Sequence, residues 1–263
     1  MSAVDVYDLE GNPKAKMTLP EVFQTQLRPD VIRKSVVALQ THRYQPKGRD
    51  PMAGKRTTAE SFGVGRDLAR VPRVKGERHP KAGSAAFAPS TVGGRVTHPP
   101  NPQKRLWKRL NRKEASLALA SAVAATASRE TVSRRGHQIE QVPSIPLVVG
   151  DDLEGISETK AAREALRKLG LWGDVERVLD GTKRRSGRAS SRGRGRKLAR
   201  GPLLVCVQDR GVVSAFRNIP GVDAVKVSDL NVEHLAPGTH PGRLTAWTES
   251  AVKAISDRLA QKD

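Results

Sequence analysis

The sequence predicts an α/β fold, a mostly parallel sheet with flanking helices, interrupted by a long extended basic loop and a second basic insertion. Three observations carry that expectation. From Ile145 onward, short Val, Leu and Ile runs alternate with helical stripes, the spacing of βαβ units. Between Gln45 and Arg105, eight prolines and eight glycines break any regular element. Between Thr182 and Gly201, nine Lys and Arg residues stand with no acid among them. Residues 1–44 and 106–263 are therefore assigned to one globular domain, 45–105 to an extended loop and 182–201 to an insertion.

Each element has a local reason. Val4, Val6 and Leu9 mark a short strand, Glu10-Gly11-Asn12-Pro13 is a turn signal, and Lys14 to Leu19 returns as a second strand. Pro20 and Glu21 open a short helix through Phe23. Asp30 is placed to cap a helix whose stripe, Val31, Ile32, Val36 and Leu39, ends near Tyr44. A structureless connection of about 60 residues then exceeds ordinary loop lengths, so Gln45–Arg105 is either disordered alone or ordered by a partner. Asn111 with Glu114 makes a capping-box pattern ahead of an Ala- and Leu-rich helix to Ala127. Ile145 to Val149 is a buried strand. Ser157 caps a helix with Ala162, Ala165, Leu166 and Leu169 on one face, closed by Gly170, and a shorter helix covers Gly173 to Leu179. After the insertion come a strand at Leu203–Val207, a helix at Val212–Arg217 and a strand at Ala224–Val227. A short helix at Val232–Leu235, a strand at Leu244–Trp247 and a helix from Thr248 carrying Val252, Ile255 and Leu259 complete the pattern.

Lys and Arg number 47 against 27 Asp and Glu, a net charge of +20. Self-repulsion on that scale calls for a polyanion, and nucleic acid is the first candidate. A membrane role fits poorly. No run of about 18 apolar residues exists, and Pro and Gly interrupt the basic stretches too often for an interfacial helix. Aromatic residues are 3% of the chain, so the core rests on Val, Leu, Ile and Ala. Cys206, alone of its kind, lies within Leu203-Leu204-Val205-Cys206-Val207 and is expected to be a small core hydrophobe. The polar alternation after Met1-Ser2-Ala3 is not a signal peptide, which points to an intracellular protein.

Enzyme chemistry finds little support. Gly63-Val64-Gly65-Arg66 lacks the third glycine of a dinucleotide fingerprint and follows no strand. His42, His79, His98, His137, His234 and His240 form no metal-ligand spacing and are expected at the surface or in turns. Asp151-Asp152 sits where a βα loop would place a catalytic carboxylate, but helix-N-terminal carboxylates are far commoner. No Ser occupies a Gly-x-Ser-x-Gly elbow. No catalytic residue, metal or cofactor is expected.

The cations carry the expected function. In the loop they are Arg49, Lys55, Arg56, Arg66, Arg70, Arg73, Lys75, Arg78, Lys81, Arg95, Lys104 and Arg105, with Lys47, opposed only by Asp50, Glu60, Asp67 and Glu77. Trp107 and Arg109 follow the loop. The insertion supplies Lys183, Arg184, Arg185, Arg188, Arg192, Arg194, Arg196, Lys197 and Arg200. The planar guanidinium fork suits bidentate phosphate contact and base stacking. Tyr44, Phe62, Phe87 and Trp107 are interleaved as stacking platforms. No helix-turn-helix, zinc finger or aromatic RNP strand is present, so structured RNA is preferred over DNA. The rival readings are an RNA chaperone or free RNA regulator using the same basic segments, and a nucleotide-binding enzyme with basic decorations.

Four stretches stand out in order: Ser61-Phe62-Gly63-Val64-Gly65-Arg66 with Ala69 to Gly76; Phe87, Gly93-Gly94-Arg95 and Trp107-Lys108-Arg109 with Asn111; Gly187-Arg188 through Arg200-Gly201-Pro202; and Ala236-Pro237-Gly238, Pro241-Gly242-Arg243-Leu244 and Trp247 to Ala251. Together they resemble the large-subunit ribosomal protein L-four family in its archaeal and eukaryotic form. The resemblance implies a cytoplasmic, ribosome-bound structural protein and not an enzyme. It implies large-subunit rRNA, neighbouring ribosomal proteins and the nascent peptide as partners, with no membrane and no homo-oligomer. It further implies that the loop threads into rRNA toward the peptide exit tunnel, with Phe62, Gly63, Gly65, Arg66, Arg70, Pro72 and Arg73 at or near the tip.

Overall fold

The computed structural model describes residues 3–260. The chain divides into two compact units, one made of the residues up to Thr41 with those from Lys108 onward, the other of His42–Trp107.

The first unit begins with a hairpin, β1 (Ala3–Tyr7) against β2 (Pro13–Thr18), turned at Gly11 with φ +84°. A 3-10 turn at Glu21–Gln24 and α1 (Pro29–Thr41) follow. The second unit contains β3 (Ala59–Glu60) and β4 (Arg73–Val74). Back in the first unit come α2 (Arg112–Ala127), α3 (Arg129–Arg134), β5 (Leu147–Val149), α4 (Thr159–Lys168) and α5 (Trp172–Asp180). The insertion holds β6 (Lys183–Arg184), α6 (Gly187–Ser191) and β7 (Arg196–Lys197). The chain closes with β8 (Leu203–Cys206), α7 (Val212–Arg217), β9 (Asp223–Lys226), α8 (Val232–Leu235), β10 (Thr245–Thr248) and α9 (Glu249–Ala260).

Six strands form the central sheet in the order β2-β1-β5-β10-β8-β9. Only β2 runs antiparallel; every other neighbouring pair is parallel, with Val6 beside Val148, Trp247 beside Val148 and Ala246 beside Leu204. The last strand to be made, β10, inserts between β5 and β8.

Strand side chains alternate between two apolar layers. Leu147, Val149, Leu204, Cys206 and Ala246 face a layer completed by α4, α5 and α7 through Leu166, Val175 and Phe216. Val148, Leu203, Val205 and Trp247 face the opposite layer, completed by α1, α2 and α9 through Ile32, Ala122 and Ile255. Both faces are covered, which is why these strands are apolar at successive positions. Small residues Ala118 and Ala122 on α2 and fully buried Trp247 fit the low aromatic content. Phe23 meets the Trp247 ring edge-on, centroids 5.5 Å apart, a geometry contributing about 0.5–1.5 kcal/mol beyond area burial.

Several local expectations are corrected. Pro29, not Asp30, begins α1, since proline suits the first helical position; the Asp30 carboxylate instead takes two bonds from Arg28 at 3.0 and 2.8 Å. The helix stops at Thr41, short of Tyr44, where the Thr41 hydroxyl donates to the Ala38 carbonyl at 2.6 Å. Asn111 has N-cap backbone geometry but its side chain makes no cap bond. Glu114 cannot complete a box because Lys34 Nζ holds its carboxylate at 2.6 and 2.9 Å. The cap position of α4 is Glu158, not Ser157. Gly170 does close that helix, at φ +71°, and a Cβ there would lie 2.1 Å from the Gln141 carbonyl oxygen.

Candidate nucleic-acid interface

The His42–Trp107 unit has no helix, as its Pro and Gly content requires, but it is not structureless. Ala59 pairs with Val74 and Glu60 with Arg73, while Arg73 also bridges to Ala85. Lys75 N–H donates to the Thr58 carbonyl at 3.1 Å, and Ala86 N–H to the Pro72 carbonyl at 2.9 Å. Gly54, at φ +78°, brings its backbone against Gly94 so closely that a Cβ would sit 2.4 Å from the Gly94 carbonyl carbon. Two of the four acids lock local turns: Asp50 pairs with Arg56, and Glu60 with Lys75 across the small ladder. The sequence missed this scaffold because its strands are two residues long and carry no alternating pattern.

Most predicted contact residues lie open to solvent. Arg49, Lys55, Arg56, Arg66, Arg70, Lys75, Arg78, Lys81, Lys104, Arg105, Trp107 and Arg109 are exposed. Arg95 is half-buried, and so is Arg73, whose Nη1 donates to the Gly83 carbonyl at 2.8 Å. The geometry therefore gives Arg73 a part in holding the loop together. At the predicted tip, Gly63 (φ +77°) and Gly65 (φ +81°) bend the chain in open space, and the Arg66 guanidinium lies 5.4 Å from the Phe62 ring centre. Arg105 similarly lies 5.8 Å from the Trp107 ring centre, and His42 meets Trp107 edge-on. Pro72 is half-buried beside the ladder.

The insertion also has internal order. Lys183 pairs with Lys197 and Arg184 with Arg196, a two-rung ladder capped by the single turn α6. Gly187 (φ +61°) and Gly193 (φ +73°) make the bends on either side. Lys183, Arg184, Arg185, Arg188, Arg192, Arg194, Arg196, Lys197 and Arg200 are all exposed. Like charges on facing rungs oppose each other, a cost that counter-charge on a polyanion would relieve.

Sequence reasoning missed two buried ionic centres at the sheet. Glu154 is buried, and its carboxylate accepts from Val207 N–H at 2.7 Å, Gln208 N–H at 3.1 Å and the Thr248 hydroxyl at 3.0 Å. Val207 and Gln208 follow the carboxyl end of β8 and Thr248 is the last residue of β10, the end at which open α/β sheets hold ligands. Here a side chain of the protein fills that place. Asp151 accepts from Ser250 N–H and its hydroxyl at 2.9 and 2.7 Å, a carboxylate at the amino end of α9.

At the other end of the strands, Arg243 is buried and donates to the Gly201 carbonyl (2.8 Å), the His234 carbonyl (3.0 Å) and the Asp223 carboxylate (2.6 Å). Nearby, the Asp174 carboxylate accepts from Arg177 Nε at 2.8 Å and Gln138 N–H at 3.0 Å, and lies 2.9 Å from His137 Nδ1. His137 is therefore buried, contrary to the surface position expected of it: with a carboxylate partner, an imidazole can leave water. Burial depresses the His137 pKa, a fall that Asp174 opposes. Burial would raise Asp174, but the bonds from His137 and Arg177 win and hold it below the ordinary carboxylate value. Desolvation, with Arg243 and Arg177 close by, lowers Arg135 to about 10. Burial likewise raises the Cys206 thiol to about 11, in keeping with a core role.

Among the described residues, no group of three or more His, Cys, Asp and Glu side chains could hold a metal, and no helix is long and apolar enough to cross a membrane.

Fold and surface define a class: an α/β domain with a plugged sheet crevice and two long cationic excursions. The chain belongs to the Ribosomal protein L4/L1 family, whose model matches residues 17–258. Family membership makes it a structural ribosomal protein rather than an enzyme. It is 47% identical over 263 residues to the Large ribosomal subunit protein uL4 of Methanosphaera stadtmanae, covering 100% of this chain and 99% of that one. It is 46% identical over 256 residues to the protein of the same name from Methanopyrus kandleri, covering 97% and 98%. The Methanococcus vannielii protein, also so named, is 48% identical over 256 residues, covering 97% and 99%.

Proposed function

We propose that this chain is a structural constituent of the large ribosomal subunit that binds large-subunit rRNA through two cationic excursions, residues 45–105 and 182–201. On this reading the longer one reaches toward the nascent-peptide exit tunnel, with Phe62 to Arg73 at its tip near the growing peptide. The protein works in the cytoplasm, in the ribosome, beside other large-subunit proteins and as a single copy. The observation that carries the reading is end-to-end similarity to relatives named as large-subunit proteins. The exposed cations support it, since the excursions carry charge with little apolar surface to bury.

Binding works by charge neutralisation on a partly built scaffold. Ordering a free chain costs about 1–2 kcal/mol per residue. The Ala59–Val74 ladder and the Gly54–Gly94 approach reduce how much the RNA must order. Phosphate contacts and counterion release offset the remainder.

Co-sedimentation with large subunits through a high-salt wash tests the assignment; release at moderate salt would refute it. Replacing Arg184, Arg185, Arg192 and Arg194 together with Ala should flatten the plot of log affinity against log salt by about 3, at 0.7–0.9 per lost phosphate contact. An unchanged slope would contradict phosphate contact by the insertion.

A further inference from the structure

The stem by which the insertion returns to the sheet is held by cations that face inward. Arg177 on α5 sends Nη2 to the carbonyl of Arg200 at 2.9 Å while its Nε and Nη2 grip Asp174 at 2.8 and 3.3 Å. Arg243 sends Nε to the carbonyl of Gly201 at 2.8 Å and Nη2 to that of Pro202 at 3.3 Å. Three consecutive carbonyls, at 200, 201 and 202, are thus each held by a guanidinium. Asp223 ties Arg243 to the stem itself, accepting from Arg243 at 2.6 Å and from the Arg200 side chain at 3.1 Å. The packing leaves no slack: a Cβ on Gly221 would lie 2.7 Å from the Val178 side chain. Arg243 has a side chain only 1% exposed and Arg177 26%, in contrast to the open cations of the insertion itself.

We propose that Arg177 and Arg243 are positioning residues for RNA binding. They touch no phosphate; they fix the direction in which the hairpin of residues 183–197 leaves the domain, so that its arginines meet RNA already aligned. A flexible stem would leave the same contacts available but add the cost of orienting them, and preorganisation lowers that cost. Arginine suits the task because one rigid fork can serve a carboxylate and a carbonyl at once, which a lysine ammonium cannot hold in the same geometry. This inference rests on the reading of the insertion as an RNA-binding element.

The two kinds of residue leave different marks on a salt titration. A contact residue carries part of the slope; a positioning residue changes affinity at every salt and leaves the slope alone. The full-length chain is titrated with deproteinised large-subunit rRNA as wild type, as Arg177→Met, as Arg177→Lys and as the fourfold arginine variant described above. Arg177→Met and Arg177→Lys should each bind about five- to tenfold more weakly, with parallel salt plots. Amide exchange at Arg185 and Arg194 should quicken while Leu204 in β8 stays protected. Wild-type affinity in a folded Arg177 variant, or a slope reduced by the increment of one contact, would overturn the proposal. Failure of the fourfold variant to change the slope would instead remove the RNA reading beneath it. Exchange in unmodified protein bears on the same point without any substitution: the Gly201 amide should be protected like the core, and exchange as fast as the α6 tip would equally overturn it.

Discussion

Gly54 and Gly94 touch backbone to backbone, forty residues apart in the chain, at the point where the two arms of the loop come together. Gly54 needs a left-handed φ of +78°, and the Gly94 carbonyl carbon lies where its Cβ would be. Gly54→Ala should therefore strain the backbone by about 1–2 kcal/mol and push the arms apart. Amide exchange at Lys55 and Gly94 should quicken, because each N–H is bonded in a turn flanking this contact. The thermal transition of the α/β unit should not move; unaltered exchange at both amides would show that the contact does not hold the arms.

Deleting Phe62 to Lys75 should leave the α/β unit folded. Those residues belong wholly to the second unit and contribute nothing to either apolar layer of the sheet. Circular dichroism melting would be expected to keep its cooperative transition, within a few degrees of the intact chain. Loss of cooperativity would mean that the loop supports the core.

Glu154→Leu should destabilise the domain by about 2–5 kcal/mol. The substitution removes the acceptor of the buried Thr248 hydroxyl and of the part-buried N–H groups of Val207 and Gln208 together, and Thr248 is left without that partner inside the fold. Glu154→Gln, which keeps an acceptor oxygen, should cost less. Denaturant midpoints of the two variants, compared at an unchanged m-value, check both the size and the order.

Stability should fall as the solution is acidified below about pH 6.5. His137 and His234 both have folded-state pKa values depressed by burial, so the unfolded chain takes up protons in a range where the folded chain does not. Their contribution is present above the unfolded histidine value of about 6.5 and is lost as pH drops through and below it. Asp174, also depressed, extends the loss below the ordinary carboxylate range. His137→Asn keeps a donor toward Asp174 but cannot titrate there, and should reduce the decline between pH 7 and 5. A melting-temperature profile identical to wild type would exclude His137 as a contributor.

Much of the fold was legible because its local signals agree with its packing. The bounds of α7 and α8 follow directly from the apolar stripes Val212–Arg217 and Val232–Leu235. Gly170 ends its helix as a left-handed glycine should. Caps were less legible, because a distant residue can outbid a local one: Lys34 takes Glu114 across 80 positions. The strand order was not readable, since β10 reaches its neighbours β5 and β8 only through long-range pairing. The cationic excursions stood out by composition alone, but the inward guanidinium of Arg243 did not. Its partners at positions 201, 202 and 223 are brought to it by the sheet, and nothing in the run Pro241 to Leu244 names them.

The pairing of Val6 with Val148 sets a schedule for the newborn chain. The inner edge of β1 has no partner until roughly 140 further residues have been made, which takes on the order of ten seconds at ordinary rates of synthesis. All thirteen Lys and Arg residues of the 45–105 segment emerge within that interval. The polypeptide therefore already presents these cations to any passing polyanion while its own sheet is still unmade. Neutralising that charge is thus a matter for the nascent chain first and for the finished domain only afterwards.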